Sequence, residues 1–178
     1  LAGVFNGDRF EYVSKTINSG EVNRTLMSNN KKLIPISGDF DGDGIADLGF
    51  RYAEQFSWSV RTSSNDALLL EQFGLRATDI PVIGDYDGDG KSDFAVRRAS
   101  NTTWYIKRSS DQGIDRIRFG LQSTDIPVPG DYDGDGKTDP AVVRFSAGRW
   151  FIKYSSDGTI GREPVTFRDG EIPIAADI

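Results

Sequence analysis

The sequence predicts an all-β fold, a β-propeller of four-stranded blades, and three observations support this prediction. An aspartate- and glycine-rich segment recurs three times at a spacing of 46 residues. Short runs of β-branched and aromatic residues alternate with turn-forming residues, as in a chain of short strands. No stretch has the sustained apolar period of an α-helix. Four antiparallel strands in a repeat of about 46 residues are typical of a propeller blade.

Each repeat opens with an Ile-Pro pair, which is followed by the aspartate-rich segment. The pairs are Ile34-Pro35, Ile80-Pro81, Ile126-Pro127 and Ile172-Pro173. In the second full repeat we expect strands at residues 80–84, 93–98, 103–108 and 114–119. The tryptophans keep the same spacing at Trp58, Trp104 and Trp150. One tryptophan per repeat at a fixed position indicates the blade core, although a sugar-stacking platform is the alternative.

The repeat phase predicts one domain over residues 1–178, with blades at 33–79, 80–125 and 126–171. Residues 172–178 have the phase of a first strand, and residues 1–32 have the phase of the three strands that follow it. We therefore expect these two segments to form a composite fourth blade that closes the ring. Closure would remove unpaired sheet edges. The alternative is that the chain is a fragment of a larger propeller.

The aspartate-rich loops have the residue pattern of calcium sites. In the first loop, Asp39, Asp41 and Asp43 can direct three carboxylates at one ion, the Ile45 carbonyl follows, and Asp47 closes the shell. The equivalent residues are Asp85, Asp87, Asp89, Lys91 and Asp93 in the second loop and Asp131, Asp133, Asp135, Lys137 and Asp139 in the third. Ca²⁺ prefers several hard oxygen ligands, whereas Mg²⁺ requires near-octahedral geometry. The sequence predicts three Ca²⁺ per chain; metal-free turns are the alternative.

The repeated pattern Asp-x-Asp-Gly-Asp-Gly-x-x-Asp resembles the FG-GAP/VCBS repeat family, which includes the calcium-binding blades of integrin α-subunit propellers. Phe73-Gly74 and Phe119-Gly120 match the family's Phe-Gly pair, and Val165-Thr166 take that place in the third repeat. The resemblance implies an extracellular propeller used for adhesion or ligand binding, with calcium as structural support. We expect a secreted or cell-surface protein. The lack of cysteine is compatible with a bacterial one that uses metal in place of disulfides.

Composition excludes several classes of site. The chain has neither cysteine nor histidine, so it cannot form a Cys/His zinc site, a thiol nucleophile or a Ser-His-Asp triad. The net charge of −6 argues against binding to nucleic acid. No apolar run has the length of a transmembrane helix, so we expect no membrane insertion.

We expect a binding module that recognises a glycan or a protein. The alternatives are a structural unit, which would be a monomer or a strand-exchanged oligomer, and, less favoured, a polysaccharide hydrolase. No unique acid pair stands out, so we predict no enzyme activity and assign no catalytic residue. The basic series Arg61, Lys107 and Lys153 could bind an anionic glycan, but solvated strand faces or ion pairs between blades are favoured. The same alternatives apply to Arg97, Arg98 and Arg144. Asp79, Asp125 and Glu171 are expected to shape turns.

Overall fold

The computed structural model describes residues 33–166 in full and, before them, the backbone of three strands. These strands are β1 (Ala2–Asn6), β2 (Arg9–Lys15) and β3 (Val22–Ser28). Over these ranges the chain forms β-strands and two single-turn 3₁₀ helices, Ala99–Asn101 and Phe145–Ala147, with no α-helix. The predicted all-β class is therefore confirmed.

The remaining strands form three four-stranded antiparallel sheets in which spatial order follows chain order. The first sheet contains β4 (Leu33–Gly38), β5 (Asp47–Tyr52), β6 (Ser57–Arg61) and β7 (Leu68–Gln72). The second contains β8 (Ile80–Pro81), β9 (Phe94–Arg98), β10 (Thr103–Lys107) and β11 (Ile114–Arg118). The third contains β12 (Ile126–Pro127), β13 (Ala141–Arg144), β14 (Arg149–Lys153) and β15 (Ile160–Pro164).

The strands predicted for the second repeat are found to within a residue or two, except that β8 ends at Pro81. Gly84 still forms an isolated antiparallel bridge with Asp93. The three strands predicted for residues 1–32 are also found, as one antiparallel sheet in the order β1-β2-β3. Residues 172–178 lie outside the described residues, so the composite blade and the closed ring stay predictions.

The core lies between successive sheets and is built around the repeated tryptophans. Trp58 and Trp104 are fully buried. The ring of Trp58 is 5.4 Å from that of Phe94 in the second sheet, and Trp104 belongs to a cluster that includes Val142 of the third. Each indole N–H donates to a backbone carbonyl, at 2.8 Å for Trp58 and 3.2 Å for Trp104. The core interpretation is thus confirmed for these two residues, while Trp150 is only partly buried.

The link between the first and second sheets is held from both sides. Buried Arg51 of β5 donates to the carbonyls of Asp79 at 2.9 Å and Arg76 at 2.8 Å. The buried Asp79 carboxylate accepts two hydrogen bonds from Arg98 of β9, both at 2.8 Å. Its Oδ2 also accepts from the Arg76 amide at 3.2 Å, which confirms its expected role in shaping the turn. Arg51 therefore attaches the first sheet to this link, and Arg98 attaches the second sheet to it.

The link between the second and third sheets repeats this arrangement. Arg97 donates to the carbonyls of Asp125 and Gln122, both at 2.9 Å. The Asp125 carboxylate accepts from Arg144 at 2.7 and 2.8 Å. Burial alone would raise the pKa of Asp125, but the hydrogen bonds from Arg144 and Gln122 outweigh burial and hold that pKa below its ordinary value. Arg97, Arg98 and Arg144 thus have a structural role between sheets.

Candidate metal centres

The first aspartate-rich loop joins β4 to β5 and is wound around the side chain of Asp39. This carboxylate accepts hydrogen bonds from the amides of Gly42 at 2.6 Å, Asp43 at 3.2 Å and Gly44 at 2.7 Å. Gly42 and Gly44 have φ values of +83° and +82°. Only glycine adopts this left-handed conformation without strain, which explains why both positions are glycine in every loop.

The other two loops repeat this geometry. Asp85 accepts from the amides of Gly88 and Gly90 at 2.7 and 2.8 Å. Asp131 accepts from the equivalent amides, those of Gly134 at 2.7 Å and Gly136 at 2.9 Å. The sequence pattern therefore specifies one loop conformation, and this conformation occurs three times.

The last aspartate of each loop is a buried anchor. Asp93 is fully buried, and its two oxygens accept from the amides of Tyr86 at 2.9 Å and Ser109 at 2.7 Å. Asp47 and Asp139 make the equivalent pairs of bonds. The aspartate thus joins the aspartate-rich loop to the turn between the third and fourth strands of the same sheet. Any metal ion that this residue contacts is coupled directly to the fold.

Carboxylate oxygens converge in each loop, although the aspartates that supply them differ between loops. Each group offers three oxygens that lie within 4.8 Å of one another: Asp39, Asp41 and Asp43; Asp85, Asp87 and Asp93; Asp131, Asp133 and Asp139. Of the predicted carboxylate ligands, Asp47, Asp89 and Asp135 fall outside these groups. Ser63 Oγ lies 2.8 Å from Asp43 Oδ2 and 3.5 Å from the Ile45 carbonyl, so those two acceptors face the same way. Coordination by the Lys91 and Lys137 carbonyls stays a prediction.

These groups fit a calcium ion. Ca²⁺ binds oxygens at about 2.3–2.6 Å, so oxygens on opposite sides of one ion are about 5 Å apart. Three oxygens that all lie within 4.8 Å of one another can therefore reach one such ion. The groups consist of carboxylate oxygens, which suit calcium or magnesium better than softer metals. The first and second aspartates belong to the group in every loop, and the third or the fourth aspartate completes it.

A pair of serines accompanies each loop, and sequence reasoning assigned these serines no role. Ser110 Oγ donates to Asp87 Oδ2 at 2.6 Å, and Ser109 Oγ donates to Asp89 Oδ2 at 2.7 Å. The same bonds recur in the other two loops, from Ser63, Ser64, Ser155 and Ser156. The signal was the spacing of 46 residues, which these serines share with the aspartates.

Burial and hydrogen bonding shift the carboxyl pKa values within the loops in opposite directions. Burial raises the pKa of Asp93 to about 6, although hydrogen bonds from the Ser109 and Tyr86 amides oppose that shift. The pKa of Asp139 is raised for the same reason. The hydroxyl of Ser64 lowers the pKa of Asp41. A cation would relieve the penalty on the buried aspartates because it favours their ionised form.

Neighbouring loops touch each other. The Ser92 amide of the second loop donates to the Asp39 carbonyl of the first at 2.6 Å. The stem of Lys91 lies against Gly42, with its Cε 3.1 Å from where a Cβ on that glycine would be. Thr138 and Lys137 make the same contacts with Asp85 and Gly88. The conformation of one loop therefore affects the conformation of the next.

The basic series makes local and inter-sheet contacts. Lys107 of the second sheet forms an ion pair with Glu71 of the first at 2.6 Å, as the ion-pair interpretation predicted. Arg61 pairs with Asp66 in its own hairpin at 2.8 Å. Lys153 donates to the Gly158 carbonyl at 3.3 Å.

Comparisons with known proteins agree with this architecture. Among solved structures, the chain is similar to a catalytically inactive virginiamycin B lyase from Staphylococcus aureus with quinupristin, with a TM-score of 0.56 and 14% identity. The match covers 97% of this chain and 54% of the lyase chain, so this chain spans about half of that protein. At this identity the likeness shows the fold alone. A search of curated proteins found no match.

The fold and the loops together define a β-propeller-like protein with acidic groups that could hold metal ions. A family model for the FG-GAP-like repeat matches residues 85–142, from the first aspartate of the second loop into β13. This match confirms the resemblance stated above. No helix among the described residues is long and apolar enough to cross a membrane.

Proposed function

We propose that this chain is a calcium-stabilised binding module of the extracellular space, which presents a rigid propeller surface to a glycan or protein ligand. The observation that carries the proposal is the threefold recurrence of one loop whose carboxylate oxygens lie within 4.8 Å of one another. Each loop ties into the core through a buried aspartate, and successive loops bond to each other. Calcium would therefore act on the stability of the whole structure.

The ions would be held by the carboxylates of each loop, with Asp39 and Asp41 and their equivalents as common members. Calcium supplies positive charge that offsets the repulsion among these groups. Binding to the folded state alone, at about 100 times the dissociation constant, would add about 2.7 kcal/mol per independent site. This is a large contribution beside the stability of about 5–15 kcal/mol that is typical of a domain.

The FG-GAP-like repeat and the absence of histidine and cysteine support a binding role over catalysis. The similar lyase structure carries no weight for activity, because the likeness concerns the fold alone. A strand-exchanged structural unit remains the second candidate. Measuring the mass in solution distinguishes it, because a binding module that closes on itself is monomeric.

Calorimetric titration of metal-stripped protein tests the calcium proposal. We expect three equivalents of Ca²⁺ and a higher melting temperature. Asp133→Asn should remove about one equivalent, because Asp133 belongs to the carboxylate group of the third loop. Glu163→Gln is the matched control, since this exposed acid lies in β15 of the same sheet and outside that group. An unchanged melting temperature with and without calcium would contradict the proposal.

A further inference from the structure

The end of the sheets opposite the metal loops is rich in arginine. The loops join the first and second strands of each sheet, so the links after β7 and β11 lie at the other end. Arg76, Arg118 and Arg149 lie at this end, are exposed, and have no ion pair within residues 33–166. Its buried acids, Asp79 and Asp125, are already paired with arginines. Arg76, Arg118 and Arg149 are therefore available to pair with a carboxylate of a partner.

A groove of about 240 Å³ runs from this end between the first and second sheets. Leu75, Tyr105 and Ile114 line it together with Arg98 and Arg116. Leu75 is 77% exposed and Ile114 is 48% exposed, so two aliphatic side chains face solvent beside two guanidinium groups. Arg98 is held by Asp79, whereas exposed Arg116 has no ion pair with any residue of 33–166.

The same combination of residues recurs one repeat later. Leu121 is 77% exposed and Ile160 is 48% exposed, the values of their counterparts Leu75 and Ile114. The other equivalents of the groove residues are Arg144, Phe151 and Arg162. The Arg144 guanidinium lies 4.6 Å from the Phe151 ring centre, as Arg98 does from Tyr105. The exposed leucines are thus part of the repeat and not an irregularity of one loop.

The lining favours a peptide over a sugar. A sugar ring stacks on an open aromatic face, but the Arg98 guanidinium lies over the Tyr105 ring at 4.6 Å. Trp58 and Trp104 are buried. Exposed aliphatic side chains next to arginine suit a partner with both an apolar side chain and a carboxylate, because arginine binds carboxylates in a fork geometry and is enriched at protein interfaces.

We propose that this groove and the equivalent surface one repeat later each bind an acidic peptide segment of a partner protein, with a leucine-like side chain between Leu75 and Ile114 and a carboxylate on Arg116. Leu121, Ile160 and Arg162 would take the same roles at that second surface. This inference rests on the proposed function as a binding module and names its ligand class. Two equivalent sites would also let one partner bind through two segments.

Fluorescence anisotropy in calcium buffer tests this with a labelled peptide of alternating leucine and aspartate. The expected result is saturable binding that weakens about tenfold in Arg116→Glu/Arg162→Glu and in Leu75→Ser/Leu121→Ser. Matched controls are Arg61→Glu and Leu70→Ser, which alter an exposed arginine and an exposed leucine that do not line the groove. Both should bind within about twofold of the unaltered protein.

Two further probes separate charge from shape: a serine-aspartate peptide and polygalacturonate. Equal binding of either one, no saturable binding of the leucine-aspartate peptide, or equal losses in the controls would each overturn the proposal. Melting the same samples with and without calcium keeps the two hypotheses apart. If calcium raises the melting temperature but no peptide binds, only the peptide-binding proposal is refuted. If the peptide binds but calcium leaves the melting temperature unchanged, the stabilising role of calcium is refuted.

Discussion

Arg97 Nη2 lies 3.3 Å from the position that a Cβ atom on Gly120 would occupy, so the guanidinium and the glycine fit one narrow space. Gly120 also has a φ of +75°. The same pairing of arginine and glycine occurs in the first sheet with Arg51 and Gly74. In the third repeat both residues change, to Val143 and Thr166. The glycine of the Phe-Gly pair is therefore associated with the buried arginine that holds the link between sheets.

Gly120→Ala should destabilise the protein by about 2–4 kcal/mol, because it adds left-handed strain to an overpacked contact. The new Cβ would lie 3.0 Å from a Val142 methyl group as well as close to Arg97. Gly74→Ala is the matched control, since its Cβ would meet its neighbours at 3.4 Å or more with a similar φ of +81°. We expect the control to lose only about 1–2 kcal/mol. Urea unfolding measures both, and equal losses would contradict the steric explanation.

The serines beside the metal loops should tune calcium affinity. Ser110 Oγ donates to Asp87 Oδ2 at 2.6 Å and so orients a carboxylate of the second loop. Ser110→Ala should weaken calcium binding at that loop about tenfold, as the loss of groups that orient metal ligands commonly does. Ser100→Ala, at an exposed serine in the opposite turn, should leave titrations unchanged. Unaltered affinity in Ser110→Ala would show that the hydroxyl does not position the ligand.

The melting temperature should fall with rising pH only when calcium is removed. Burial raises the pKa of Asp93 to about 6. A carboxyl group whose pKa rises on folding stabilises the fold below its unfolded pKa of about 3.9, and this contribution is lost as pH rises through about 6. The melting temperature of metal-free protein should therefore fall between about pH 5 and 7. With calcium it should stay level or rise over that range, because the ion stabilises the carboxylate.

Two features of the chain limit the number of other groups that titrate in this pH range. The chain has no histidine, so carboxyl groups with a raised pKa, such as Asp93 and Asp139, dominate the titration between about pH 5 and 7. Asp125 has a lowered pKa, so its contribution is lost only below about pH 4. Asp93→Asn should flatten the metal-free profile. A metal-free melting temperature that rises from about pH 5 to 7 would be the opposite of the expected sign.

The sequence predicted the strands and the aspartate-rich loops because both depend on local residue types at a fixed period. Gly42 and Gly44 mark a left-handed loop, and Trp58 marks a core position, without knowledge of tertiary contacts. The roles of Arg51 and Arg97 could not be read in this way. Their partners are backbone carbonyls about 23–28 residues away, which carry no residue-type signal. The serine pairs were visible as repeats, but only the fold brings them to the loops.

The partial burial of Trp150 motivates a test of ring closure. Trp58 and Trp104 are buried against the following sheet, whereas Trp150, at the equivalent position, is only partly buried within the part of the chain that the structure describes. We expect residues 172–178 to pair beside β1 and, with residues 1–32, to supply the sheet that follows the third. A tethered strand has an effective concentration in about the millimolar range, so closure within one chain should outcompete strand exchange at ordinary protein concentrations.

Deleting residues 172–178 should lower the melting temperature and promote association, because it exposes a sheet edge and the flank of the core around Trp150. Light scattering and thermal unfolding of the full and shortened chains, at matched concentrations in calcium buffer, measure both effects. The full chain should be monomeric, and an oligomeric full chain would indicate strand exchange instead. A shortened chain that remains monomeric and melts at the same temperature would show that the segment does not complete a blade.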